Sequence, residues 1–380
     1  MTPPKKFQKS NSFVEIRGAA RPSDGPARTS RVLERAASAV ADPYRRDVLA
    51  RARDLIRTGW PGGTAGAFPA HVEAEVARLR DDELPRYFFY RYRYDVFPAR
   101  LERDDFPPCL QVEPSSVCNY RCVFCYQTDK TFTDPAGGHM GTMALDLFKK
   151  VIDEAEGRCE AVTLASRGEP LLCRDIDRML DYAKGKFLAF KINTNAWFLD
   201  EKKAHALLAA EPSTIVFSAD AAAEPLYSQL RVNGRLDRVV RNIEMFQKIR
   251  RRDYPASRTI TRVSGVSFRD DQSLGDMEKF WGGMVDQVAF VAYNPWENVY
   301  ESPLSGIETP CSDLWRRMFV WWDGTVNPCD VDYKSALRTG NAGASTLAEL
   351  WGGAAYEGYR RTHREKKRAG LSPCQRCTVV

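Results

Sequence analysis

The sequence predicts an α/β fold: a run of strand–helix units forming a partial (β/α)6 barrel, with a helical segment before it and a small module after it. Three observations predict this. Short β-like runs fall at residues 110–113, 161–165, 187–193, 214–218, 259–267 and 287–292. Segments of helical period, at 144–156, 174–185, 201–210 and 236–252, lie between most of them. The alternation begins near Phe106 and stops near Tyr300, after which the chain is punctuated by Gly and Cys. Alternating units of this kind favour a parallel sheet covered by helices, and in a barrel the chemistry sits at the C-terminal strand ends. No period of 20–50 residues points to a solenoid.

The elements follow in order. Residues 1–29, rich in Pro, Ser, Lys and Arg, read as a flexible basic tail. Residues 30–105 read as a helical extension. Its first helix follows a possible N-cap at Thr29, with Val32, Leu33, Ala36, Ala37 and Val40 at helical spacing. A second runs through Val48, Leu49, Ala52 and Leu55 and stops near Trp60-Pro61-Gly62-Gly63. A third covers about 70–79. The aromatic run from Tyr87 to Tyr94 interleaves Arg with Tyr and reads either as an amphipathic element sealing the main domain or as a base-stacking surface. Sealing is the simpler reading. The barrel takes residues 106–300 and a small, separate module takes 301–380.

The chain has 380 residues, 43% hydrophobic and 28% charged, so it is neither disordered throughout nor fibrous. No window of about 18 apolar residues exists, which argues against a membrane span. No apolar stretch follows the N-terminal lysines, so the expected location is the cytoplasm, where thiols stay reduced. Ten cysteines there read as metal ligands before disulfides. The net charge of +6 belongs to the N-terminal part: residues 1–100 carry 19 Lys/Arg against 12 Asp/Glu, and the rest carry 37 against 38. The body is neutral and shows no basic face for a nucleic acid.

Cys118-Asn-Tyr-Arg-Cys122-Val-Phe-Cys125 places three thiolates in eight residues just after the first strand. A short loop can wrap three corners of an iron–sulfur cube, leaving one iron without a protein ligand. A zinc site would want a fourth ligand, and no His lies nearby. This pattern after the first barrel strand resembles the radical S-adenosylmethionine (SAM) superfamily, with Phe124 as the aromatic before the third Cys. The resemblance implies a partial TIM barrel and a [4Fe–4S] cluster on Cys118, Cys122 and Cys125 whose open iron chelates SAM. It also implies a low-potential reductant such as flavodoxin or ferredoxin, and a 5′-deoxyadenosyl radical that takes hydrogen from substrate.

Further positions match in order. Ser166-Arg167-Gly168-Glu169-Pro170, at the second strand end, resembles the motif GGEP, with Gly168 and Glu169 serving the SAM amino group and Arg167 replacing the first Gly. Asn195 ends the third strand. Ser218 and Asp220 follow the fourth, where related enzymes contact the ribose. Arg231 and Arg262 are candidates for the SAM carboxylate. Each also has a plain reading: Asn195 a helix cap, Asp220 a turn cap, Arg231 a surface charge.

Cys311, Cys329, Cys374 and Cys377 form a second set. Gly324, in a hairpin-turn sequence, lets Cys311 and Cys329 approach, and the Cys-Gln-Arg-Cys loop returns to close the site. Spacing alone leaves an iron–sulfur cluster and a structural zinc open. The pattern resembles the SPASM, or shortened twitch, module, as found with 2-deoxy-scyllo-inosamine dehydrogenase and anaerobic sulfatase-maturating enzymes. That resemblance implies one auxiliary [4Fe–4S] cluster. Cys109, Cys159 and Cys173 remain as packing thiols, Cys173 lying closest to a strand end.

Asp330, directly after Cys329, resembles the catalytic Asp of the sulfatase-maturating enzymes and is the candidate base; capping its own loop is the alternative. Asp332, Glu297 and Tyr293 are weaker candidates. The basic run 360–368, with His363, reads as a solvated helix. The expected activity is oxidation or epimerisation of a carbinol in a small polar substrate, a sugar, polyol or aminocyclitol, with the auxiliary cluster as electron acceptor. Peptide maturation is the second hypothesis, and a non-enzymatic zinc protein the third.

Overall fold

Within the barrel strands, apolar residues alternate with small or polar ones, and that period of two assigns each face its task. A computed structural model describes residues 6–7, 13–18 and 25–380, the segment 13–18 by its backbone. Seven parallel strands form its centre: β2 (Cys109–Val112), β3 (Ala161–Leu164), β4 (Ala189–Thr194), β5 (Thr214–Ser218), β6 (Ile260–Ser267), β7 (Gln287–Ala292) and β8 (Arg317–Val320). Leu110, Val162, Phe190, Ile192, Ile215, Phe217, Val263 and Val288 point outward into one apolar core. Helices α5 (Leu145–Ala155), α6 (Ile176–Ala183), α7 (Glu201–Ala210), α8 (Leu236–Asp253) and α9 (Leu274–Trp281) cover that face. Burying each large apolar side chain there stabilises the fold by ~1.5–3 kcal/mol before entropy is subtracted. The opposite residues, among them Gln111, Thr163, Lys191, Asn193 and Ser264, line the lumen.

The sheet is open, as a partial barrel requires. Its order is β1-β7-β6-β5-β4-β3-β2-β8-β9-β10, where β1 is Phe13–Gly18, β9 is Thr325–Asn327 and β10 is Gly340–Asn341. β1 pairs antiparallel with β7, so part of the segment expected as a tail is a sheet edge. The first helix also begins earlier than expected, within that segment; the rest of the tail reading lies outside the described residues. β8 pairs parallel with β2, and β9 and β10 extend the same sheet. The C-terminal part, expected as a small separate module, hydrogen-bonds to the barrel edge through β8.

Before the barrel come α1 (Gly25–Ala39), α2 (Pro43–Thr58), α3 (Ala70–Arg78) and α4 (Leu84–Asp95). Leu33, Val48, Leu49, Trp60, Val72, Tyr87 and Phe88 form a second core that reaches Cys109 and Ala161, at the N-terminal ends of β2 and β3. The helices thus plug the lower end of the barrel. Arg91 and Arg93 of the aromatic run are buried, paired with Asp95 at 2.8 Å and Asp104 at 2.5 Å. This run seals the domain.

Candidate active site

The upper, C-terminal end of the barrel holds a cavity of about 420 Å³. Cys118, Cys122 and Cys125 line it, from the loop that leaves β2. Residues Arg121–Cys122 pair antiparallel with Arg231–Val232, which pins the middle of the loop. Arg231 places Nη1 3.7 Å from Cys122 Sγ, Asn195 Nδ2 lies 3.9 Å from Cys118 Sγ, and the Tyr120 N–H donates to Cys118 Sγ at 3.4 Å. Burial pushes the Cys118 thiol up to about 12 and the Cys122 thiol up to about 11. Iron must therefore displace protons to bind here. Among the described residues, no three His, Cys, Asp or Glu side chains converge on a single ion.

Gly168 explains why the strand end can lie against this loop. A Cβ there would stand 2.4 Å from Ser115 O and 2.6 Å from Val117 O, both backbone atoms that cannot move aside. Glu169 next to it accepts from Thr194 Oγ1 at 2.6 Å, Asn195 N at 2.7 Å and Leu171 N at 3.0 Å. Burial raises its carboxyl above the ordinary range, against the pull of those donors. The departure from the expected motif also has a task. Arg167 forms a two-pronged, buried pair with Glu113 (2.8 and 2.6 Å) and donates Nη1 to the Tyr333 carbonyl at 2.9 Å. It ties β2 and β3 to the C-terminal part.

Of the sequence-predicted residues, Cys118, Cys122, Cys125, Gly168, Glu169, Asn195, Ser218, Arg231 and Asp330 line this cavity. Two do not. Asp220 is fully buried, accepting from Val266 N at 2.7 Å and pairing with Arg231 Nε at 2.5 Å. It orients Arg231 and presents no free edge for a ribose. Arg262 lies low on β6, donating to Gln287 Oε1 at 2.8 and 2.6 Å, and faces a different cavity at the plugged end. It is not placed to meet a SAM carboxylate. Sequence reasoning passed over Asn193, Asn294 and Trp296, which also face the main cavity. Asn193 sits at a polar lumen position of β4, which the period of two could have shown.

Cys311, Cys329, Cys374 and Cys377 line a second, smaller pocket together. The basic run is solvated at Arg361, Arg364, Lys366 and Lys367, as expected, but Arg360, His363 and Arg368 are buried. Arg368 donates to the carbonyls of Cys374, Cys377, Thr309 and Val379 at 2.9–3.3 Å, and so folds the last cysteine loop. His363 Nδ1 accepts from Cys311 N at 3.1 Å, and burial lowers its pKa to about 3. Asp332 accepts from Tyr300 Oη at 2.5 Å and from two backbone N–H groups, so it holds the loop after Cys329. Cys109, Cys159 and Cys173 are buried.

The comparisons with known proteins agree with this geometry. Residues 112–278 match the radical SAM superfamily and residues 311–378 match the iron–sulfur cluster-binding domain SPASM. The chain carries a radical SAM domain and a SPASM domain. The mycofactocin maturase MftC of Mycobacterium tuberculosis is 28% identical over 140 residues, 37% of this chain and 34% of that protein. An AdoMet-dependent heme synthase of Methanosarcina barkeri is 26% identical over 186 residues, 49% of this chain and 51% of that protein. The chain thus spans about a third to a half of these relatives. Streptococcus suis SuiB bound to precursor peptide SuiA shares the fold with a TM-score of 0.53 at 17% identity, covering 77% of this chain and 75% of that one. BtrN in complex with AdoMet and 2-DOIA gives 0.47 at 17% identity, covering 72% and 93%.

The two domains imply a SAM-binding [4Fe–4S] cluster and an auxiliary one. The residues present fit them. The upper set offers three thiols and the lower set four, the difference between an open and a closed cluster. Gln127 Oε1, Ser166 Oγ, Asn193 Oδ1 and Asn294 Nδ2, all at the main cavity, are buried without a protein hydrogen bond. Buried polar atoms seldom stay unpaired, so the cavity is built for a polar occupant.

Proposed function

We propose that this enzyme oxidises a carbinol carbon of a small polar substrate of the sugar, polyol or aminocyclitol class, with epimerisation as the variant in which hydrogen is returned. One observation carries the reading. Asp330 lines the main cavity, and Cys329, its neighbour in the chain, lines the four-cysteine pocket. A proton acceptor for the hydroxyl therefore stands one residue from a ligand of the auxiliary cluster. Bound together, SAM and the two clusters would supply a radical that takes a hydrogen atom and an acceptor for the electron left behind; a flavodoxin or ferredoxin would reduce the SAM-binding cluster, and the auxiliary cluster would pass its electron on to that cluster or to a protein acceptor. The chain's part is to orient and deprotonate. Arg231, held by Asp220, offers a fixed cation beside Cys122; the unpaired groups at Asn193 and Asn294 suit hydroxyl or amino substituents.

A second reading, modification of a peptide side chain, is favoured by the mycofactocin maturases among the relatives. Against it, the N-terminal helices plug the far end of the barrel and leave no recognition domain at the cavity mouth among the described residues. The test compares metabolites of a deletion strain and its parent, then assays the accumulating compound with wild type and Asp330→Asn. The reading predicts an accumulating polyol or sugar, one 5′-deoxyadenosine per ketone, and ketone formation lowered about 10²-fold or more in the variant with SAM cleavage retained. An accumulating unmodified peptide would overturn it.

A further inference from the structure

One ring nitrogen at the four-cysteine pocket has a proton that the protein leaves unclaimed. His363 lies near the end of the helix Ala354–Arg364 and lines the pocket with Cys311, Cys329, Cys374 and Cys377. Only 1% of it is exposed. Its Nδ1 accepts the Cys311 N–H at 3.1 Å. A ring nitrogen that accepts carries no proton, so the proton of the neutral ring sits on Nε2. An imidazolium would set one N–H against another there. Nε2 is buried and has no hydrogen-bond partner in the protein.

Neighbouring side chains of the pocket are spent on the protein itself. Five hydrogen bonds to carbonyls use all five N–H groups of Arg368. Asp332 is held by Tyr300 Oη and by the Ala336 and Leu337 N–H groups. Two of the sulfurs already accept from backbone: Cys329 Sγ from the Val331 N–H at 3.3 Å, and Cys377 Sγ from the Val379 N–H at 3.4 Å. His363 is thus a side chain at this pocket with a buried N–H still to give.

We infer that His363 donates its Nε2–H to a sulfur of the auxiliary cluster, a sulfide or a cysteine thiolate, and so raises the reduction potential of that cluster. Buried donors seldom stay unpaired, and a cluster on four thiolates offers acceptors alone. Reduction adds one negative charge to an already anionic group. An N–H beside it therefore stabilises the reduced form more than the oxidised one, and hydrogen bonds to the sulfurs are a means by which proteins set such potentials. His363 is not an iron ligand in this arrangement: ligation through Nε2 would move the proton to Nδ1, against the Cys311 N–H. The inference rests on the four-cysteine cluster and not on the substrate. If the oxidation proposed above holds, the raised potential makes the cluster a better acceptor for the substrate's electron.

The test uses the full chain with Cys118, Cys122 and Cys125 all replaced by Ala, reconstituted anaerobically, so that the auxiliary cluster is alone and no substrate is needed. In a redox titration followed by electron paramagnetic resonance, His363→Phe should keep about four iron. Its reduced-to-oxidised ratio at a fixed potential should fall about tenfold, a midpoint about 59 mV lower. In protein labelled with nitrogen-15 at histidine alone, pulsed resonance of the reduced cluster should show a weak nitrogen coupling that His363→Phe abolishes. An unchanged midpoint in His363→Phe at full iron content would overturn the inference. So would labelled protein retaining His363 that shows no histidine coupling, or one strong enough for a direct iron–nitrogen bond. Should His363→Phe lose its iron, the labelled protein with His363 in place decides alone.

Discussion

Replacing Arg167 with Met tests whether the barrel and the C-terminal part are locked together by one buried pair. The side chain makes two charged hydrogen bonds to Glu113 and a third to the Tyr333 carbonyl, and both partners of the pair are almost fully buried. In the variant, Glu113 keeps the Trp322 and Arg167 N–H groups, at 3.2 and 3.1 Å, but loses the cation it pairs with among the described residues. Stranding a buried charge in this way costs about 3–5 kcal/mol; the two retained donors place the expectation near the lower end, about 3 kcal/mol. Urea unfolding of anaerobic protein, followed by circular dichroism, reads the loss. Glu113→Gln combined with Arg167→Met should recover a large part of it, since no charge is then left behind. A loss below about 1 kcal/mol in the single variant would refute the reasoning, because a surface-type pair costs no more than that.

Two further outcomes follow from buried cations. Arg368→Ala leaves the Cys374 and Cys377 carbonyls without their donor, and iron content should fall by about half while SAM still perturbs the remaining cluster's spectrum. Lys191 gives a pH signature. Its folded pKa, about 8, lies below the ordinary 10.5, so the charged form burdens the fold at neutral pH. The unfolded chain binds more protons between these values, so wild-type stability should rise relative to Lys191→Met across pH 8 to 10.5, by about 3 kcal/mol in all. Glu75, Arg91, Arg262 and Arg317 face the same space. A gap between the two proteins that stays constant over that range would contradict the burial argument.

Much of this was legible in the sequence because the decisive signals are local. The strands 214–218 and 287–292 and the helix 201–210 fall where period and composition put them. The two cysteine sets each face one cavity, as their spacing implied. What failed depended on height or on distant pairing. Arg262 is on an expected strand but five residues below its end, about 16 Å at ~3.3 Å per residue, which moves it from the active site to the plugged end. Asp220 is beyond its strand end as expected, but it turns back to Val266 and Arg231, a contact no spacing reveals. The pairing of β8 with β2 joins residues some two hundred positions apart without a local mark. Arg368 looked solvated like its exposed neighbours Lys366 and Lys367 because charge favours water; its burial rests on carbonyls supplied by loops that only the fold brings together.

The central claim is that one cluster is open to SAM and the other is closed. Electron paramagnetic resonance of the reduced protein, wild type beside a Cys118→Ala, Cys122→Ala, Cys125→Ala variant, measures this with and without SAM. The wild type should hold about eight iron and show a SAM-dependent change of spectrum; the variant should keep about four iron with a spectrum that ignores SAM. A variant spectrum that still responds to SAM, or a wild type with no iron beyond a single cluster, would contradict the account.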